Sequence, residues 1–134
     1  MLDDIKVINF INHGDDRGNL VAIESNRDVP FVIKRIFYIY GLSGNEIRGQ
    51  HANRKSEFVM INLSGSCKIK ALDHIGNERV YVLDKPNVGL YLPRMIWKEM
   101  YDFSKESVLM ILSNEYYDSS EYIQNKDDFM KVNG

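Results

Sequence analysis

Short runs of β-branched and aromatic residues recur along the chain, and glycine, asparagine, aspartate or proline separates each from the next. That punctuation suits a sandwich or barrel of many short strands, because each strand turns back after a few residues. The segments predict strands over Ile5 to Ile11, Asn19 to Glu24, Val32 to Tyr40, Glu57 to Leu63, Ser66 to Leu72, Arg79 to Leu83, Val88 to Leu92, Ile96 to Asp102 and Ser107 to Ser113. The expected fold class is all-β. In CKIKAL, Cys67, Ile69 and Ala71 alternate with Lys68 and Lys70, so that strand has one core face and one wet face. SVLMILS is apolar on both faces and calls for cover on each, by a barrel interior and by a second surface such as a partner subunit.

One short C-terminal helix is expected in DSSEYIQNKDDFMKV. It has a capping-box-like spacing from Asp118 to Glu121, with Tyr122, Phe129 and Met130 on a roughly helical period. A length of 134 residues suits one domain over 1–134. With 27% charged residues and a net charge of −2, the chain has no basic excess for gripping nucleic acid. Cys67 is the sole cysteine, which removes an internal disulfide and a cysteine-rich zinc site. No run approaches membrane-spanning length, and MLDDIKVINF lacks a charged leader followed by an apolar stretch, so a cytoplasmic protein is expected.

The chemistry concentrates in RGQHANRKSE, Arg48 to Glu57. If this stretch is extended, His51, Asn53, Lys55 and Glu57 share a face that continues into Val59, Ile61 and Leu63. A polar row merging into an apolar one describes the mouth of a small barrel, with His51 at the rim. Three readings of His51 then compete: a hydrogen-bonded structural histidine, a ligand left over from the cupin metal motif HxHxxxE, or a general base in a metal-free pocket. Asn53 is a poor substitute for imidazole, and LYLPRMIW, where a later ligand belongs, contains no histidine. His13 and His74 fall in loops. Two ligands at best remain, fewer than a transition-metal site generally needs, so no metal is expected.

Taken together, GDDRGNLVAIE, VPFVIKRIFYIYG, RGQHANRKSE, LSGSCKI, PNVGLYLPRMIWKEMYDFS and EYYDSSEYI resemble, in order and from about Gly14 to Phe129, the sugar-nucleotide 3,4-ketoisomerases. These are small RmlC-like cupins. The resemblance implies a jelly-roll homodimer acting on dTDP-4-keto-6-deoxyglucose without metal or organic cofactor, in deoxysugar synthesis for cell-surface glycans such as lipopolysaccharide. His51 matches the first histidine of the family's RGxHAH, while Asn53 stands where the second belongs. An asparagine can donate a hydrogen bond to a developing enediolate but cannot shuttle protons. A tyrosine, an ordered water or the substrate hydroxyl would take that part, with Tyr38 and Tyr40 the nearest side-chain candidates and Tyr38 the catalytic one. Glu57 or the backbone is expected to hold the imidazole, and Arg48 is the expected partner of the substrate diphosphate. Arg17 matches a family position near the sugar, and Lys98 lies where the family varies its residue and is expected to influence the face of carbon 4 that is reprotonated. Three alternatives stand beside this reading: a 3,5-epimerase, a nucleotide-sugar-binding cupin without turnover, and a metal-dependent cupin oxygenase.

Overall fold

Antiparallel pairing organises the chain into two five-stranded sheets, and the computed structural model describes residues 1–132 of it. The first sheet has the order β1-β7-β4-β9-β2 and the second β10-β3-β8-β5-β6. The strands are β1 (Lys6–Asn9), β2 (Arg35–Tyr40), β3 (Arg48–Asn53), β4 (Phe58–Ser64), β5 (Cys67–Leu72), β6 (Glu78–Leu83), β7 (Val88–Leu92), β8 (Trp97–Tyr101), β9 (Val108–Ser113) and the two-residue β10 (Tyr122–Ile123). Apart from the β5–β6 hairpin, sequential strands mostly cross between sheets, as a jelly roll requires. At the β4–β5 crossing Gly65 adopts φ 68, and a Cβ there would overlap Ser104 Oγ. Only glycine fits that corner.

Three apolar layers result. Between the sheets lie Phe58 and Met60 of β4, Cys67, Ile69 and Ala71 of β5, Leu90 and Leu92 of β7, Met100 of β8, and Leu109 and Ile111 of β9. The alternation in CKIKAL is as expected. For β4 the opposite parity holds: Phe58 and Met60 fill the interior, while Val59 and Ile61 face outward. Arg54 to Glu57 leave the strand between β3 and β4, so the two-residue period does not carry from His51 into β4.

That outward face is covered by the chain itself. Val21, Ile23, Val29, Phe31 and Ile33 pack on Val59, Ile61 and Leu112. The stretch from Asn19 to Glu24 is therefore a covering segment, not the expected strand. Lying across a face and not along an edge, it has no ladder to join; Leu20 pairs with His13 instead. It also supplies the second cover that the doubly apolar β9 needs, at Met110 and Leu112, where a partner subunit was expected.

A third layer forms outside the second sheet, where Ala52, Leu72, Trp97 and Ile123 receive Phe129 from the helix α1 (Lys126–Met130). The C-terminal segment is divided more finely than one helix. Asp118 caps a single 3-10 turn, Ser119–Glu121, then Tyr122 and Ile123 pair with Asn53 and Ala52, and Asn125 caps α1 by accepting from the Asp128 N–H. The cap signal is real, but the apolar residues after it are used by a strand.

Phe129 is wholly buried with its ring 5.9 Å from that of Trp97, and so clamps the helix that holds β10. Phe129→Ala should cost about 3–5 kcal/mol in urea unfolding. A loss below about 1 kcal/mol would contradict the clamp.

Candidate active site

The polar residues of β3 are aimed by a bulge. Pairing with β8 runs Arg48 to Met100 and Gly49 to Glu99, then shifts so that His51 opposes Lys98. The extra residue is accommodated by Gly49 at φ 85 and Gln50 at φ 56. A Cβ on Gly49 would lie 2.9 Å from the Lys98 carbonyl oxygen, which explains the glycine after Arg48. The bulge leaves His51 and Asn53 on the face that carries Lys98, toward Phe58 at one end of the interior.

Lys98 is 1% exposed, and its Nζ donates to Asn53 Oδ1 at 3.0 Å while lying 4.7 Å from the centre of the Phe58 ring. The Asn53 amide nitrogen is buried with only the Glu121 carboxylate beside it. Beside them the His51 ring packs on Tyr122, centroids 4.8 Å apart. From β2, Arg35 reaches the same tyrosine: its Nη1 donates to Tyr122 Oη at 3.4 Å, and its guanidinium lies over Phe37 and Tyr117. Arg35 Nε and Nη2 are buried and unpartnered. Glu121 closes the group from the 3-10 turn, accepting from the backbone N–H of Lys55 and Ser56 at 3.1 Å each and from the Ser56 hydroxyl.

Charge in this enclosure follows from desolvation. Burial, and then the neighbouring Lys98 ammonium, push the His51 imidazole down to about 4, so it is neutral and able to accept a proton at pH 7. Burial likewise brings Lys98 down to about 7, against the pull of Glu121. Glu121 itself is held below the usual carboxylate range: its hydrogen bonds with Ser56 and Lys55 outweigh its burial, the largest single influence and an opposing one.

The sequence candidates divide. His51, Asn53 and Lys98 come together as described, and Arg48, opposite Met100, is exposed on the same face of β3 at the rim. Tyr38 and Tyr40 do not join this group. They stack on each other, 63% and 68% exposed, while the alternate residues Phe37 and Ile39 face the interior. Glu57 does not support His51 either, since it binds Tyr91 and Asn114 on the outward side of β4. Arg17 pairs with Asp15 at 2.8 Å in an exposed turn and makes no hydrogen bond to the His51 group. Arg35, Glu121 and Tyr122 were missed. Arg35 follows from β2's own period, two residues before inward Phe37, whereas Glu121 is hidden behind its resemblance to a helix cap. Among the described residues no group of three or more His, Cys, Asp or Glu is placed to hold a metal ion.

A surface groove of about 620 Å3 between β1 and the Asn26–Pro30 turn contains none of these groups. Its charged residues, Asp4, Lys6, Arg27 and Asp28, are of mixed sign and offer no convergent acid and base.

Comparison with known proteins gives the family. The profile described as "FdtA: WxcM-like, C-terminal" matches residues 3–134. The chain belongs to that FdtA family. It is 48% identical over 126 residues, 94% of this chain and 90% of the other, to the TDP-4-oxo-6-deoxy-alpha-D-glucose-3,4-oxoisomerase of Aneurinibacillus thermoaerophilus. A histidine-to-asparagine mutant of the 3,4-ketoisomerase QdtA from Thermoanaerobacterium thermosaccharolyticum, solved with TDP-4-keto-6-deoxyglucose, superposes with a TM-score of 0.94 at 38% identity, covering 97% of this chain and 94% of that one. The TDP-quinovose 3,4-ketoisomerase WlaRB of Campylobacter jejuni gives 0.92 at 40% identity, over 96% and 98%. This FdtA-family chain therefore shares both fold and sequence with sugar-nucleotide isomerases along nearly its whole length.

A carbon-13 titration of the histidine side chains should place the His51 midpoint near pH 4. A midpoint at or above the ordinary 6.5 would contradict the desolvated imidazole.

Proposed function

We propose that this protein is a cofactor-independent 3,4-ketoisomerase that converts TDP-4-keto-6-deoxyglucose to its 3-keto isomer, the form a later amination needs in deoxysugar synthesis for cell-surface glycans. One observation carries this reading beyond the family match. A neutral imidazole shares one end of the barrel interior with two buried N–H donors that have no partner in the protein, Arg35 Nε and Arg35 Nη2, and with Asn53 Nδ2, which has only the Glu121 carboxylate beside it. Unpaired buried donors are costly, and a ligand rich in oxygen and negative charge satisfies them.

The reaction moves a carbonyl to the adjacent carbon through an enediol. His51, as general base, takes the proton of carbon 3. Asn53 Nδ2 donates to the oxygen that gains charge, a donor fixed in advance because its amide is anchored through Oδ1. The protonated His51 then returns a proton to carbon 4. Arg35 and, at the rim, Arg48 meet the diphosphate, Arg35 with the two donors that Tyr122 leaves free. Glu121 positions the Lys55–Ser56 backbone that links β3 to β4 and sets a negative charge behind His51 and Lys98.

The protein acts as a homodimer, an assembly supported by the apolar stripe that β2 leaves uncovered. Ile36, Tyr38 and Tyr40 are 58%, 63% and 68% exposed along the outward face of an edge strand. Tyr38 and Tyr40 thus serve association here, not proton transfer.

Three measurements follow. Conversion of TDP-4-keto-6-deoxyglucose, followed by proton NMR, should give the 3-keto sugar, and His51→Ala should lower kcat by about 10²–10⁴; a loss under about tenfold would remove His51 as the base. Arg35→Met should weaken TDP binding in calorimetry by about tenfold or more, and unchanged affinity would remove Arg35 from the diphosphate site. Sedimentation should give about twice the 15.6 kDa chain mass, and a monomer at micromolar concentration would exclude the dimer.

A further inference from the structure

An isomerase of this kind moves protons on oxygen as well as on carbon, and Asn53 cannot carry one, because an amide neither gains nor loses a proton near neutral pH. Building on the ketoisomerase reading, we propose that Lys98 is the second proton carrier of the site, serving the two substrate oxygens while His51 serves the two carbons.

The placement of Lys98 is difficult to explain as structural support. An ammonium taken out of water ordinarily gains a carboxylate, yet among the described residues Lys98 makes no ion pair, and its one hydrogen bond is to a neutral amide. That bond aims Nζ at Asn53 and leaves the remaining N–H positions free. His51 is its cross-strand partner, so amine and imidazole lie side by side on one face of the β3–β8 ladder. The groups around it are few. β3 contributes His51 and Asn53, β4 contributes the Phe58 ring, β5 contributes Ala71 opposite it, the 3-10 turn contributes Glu121, and Arg35 of β2 acts on the neighbouring His51. Burial brings the amine to about 7, where both of its protonation states are populated under working conditions.

The protons balance over one turnover. The Lys98 ammonium gives a proton to the oxygen on carbon 4 as His51 removes the hydrogen of carbon 3, which leaves a neutral amine, an imidazolium and the enediol. The amine then takes the proton of the oxygen on carbon 3 while the imidazolium protonates carbon 4. The carbon–oxygen double bond now lies at carbon 3. Both side chains return to their starting states, and nothing outside the site is consumed.

Arginine separates proton transfer from mere positive charge, because it keeps charge and hydrogen-bonding capacity but does not give up its proton. Lys98→Arg should retain TDP affinity within about threefold in calorimetry yet lose at least about a hundredfold in kcat, as should Lys98→Met. The unmodified protein should lose rate above about pH 7 as Lys98 deprotonates, and this alkaline limb should be absent from the residual activity of Lys98→Arg. Should Lys98→Arg fold poorly, the double variant Lys98→Met with Asn53→His gives an independent arm: a second titratable group on the neighbouring position should recover at least about tenfold over Lys98→Met alone. An arginine variant within about tenfold of the unmodified rate, or an alkaline limb that survives in it, overturns the proposal while leaving the ketoisomerase reading intact. No turnover by the unmodified protein overturns both.

Discussion

The hydrogen bond from Lys98 Nζ to Asn53 Oδ1 joins β8 to β3 inside the barrel, with both side chains withdrawn from water. Withdrawal sets the chemistry of everything near it. An ammonium without a carboxylate partner loses affinity for its proton, and its residual charge in turn depresses the imidazole alongside. One desolvated contact thus yields a neutral base and a weak acid on adjacent strands. The proposed separation of acid and base rests on this difference in environment between the two side chains.

Holding that contact requires three devices that are not themselves chemical. The bulge at Gly49 and Gln50 turns His51 to face Lys98. The 3-10 turn and β10, pinned by Phe129 of α1, bring Glu121 and Tyr122 against β3 from outside the main sheet order. Glu121 fixes the loop after Asn53 through two backbone N–H groups, so the strand carrying the amide cannot drift from the strand carrying the amine. The C-terminal segment, which looks peripheral in sequence, is part of the site.

Much of this was legible before the fold was known. Strand-length apolar runs identified β4 through β9 closely, and the alternation of Cys67, Ile69 and Ala71 identified an interior face correctly. His51 and Lys98 were visible as candidates, although nothing in the spacing between them announces a cross-strand pair. The failures share a cause in parity. Carrying one two-residue period from His51 through Glu57 into Val59 assumed an unbroken strand, and the break at Arg54 to Glu57 resets it, sending Glu57 outward to Tyr91. In β2 the aromatic Tyr38 and Tyr40 lie on the outward parity, whereas Arg35 shares the inward parity of Phe37 and Ile39. The Asn19 to Glu24 segment alternates like a strand because it too buries one side, but it does so across a sheet face, where it joins no ladder of the sheet.

In the proposed reaction a neutral imidazole and its neighbours move hydrogen only at carbons 3 and 4 of the sugar. The most direct measurement is proton NMR of TDP-4-keto-6-deoxyglucose with the unmodified protein in deuterium oxide, read carbon by carbon. The expected result is loss of the carbon 3 proton signal, a hydrogen newly placed at carbon 4 of the 3-keto product, as protium carried over by His51 or as deuterium where the imidazolium exchanges with solvent, and an undiminished proton at carbon 5. A carbon 3 proton that persists, or a carbon 5 proton that exchanges at a comparable rate, would contradict the claim.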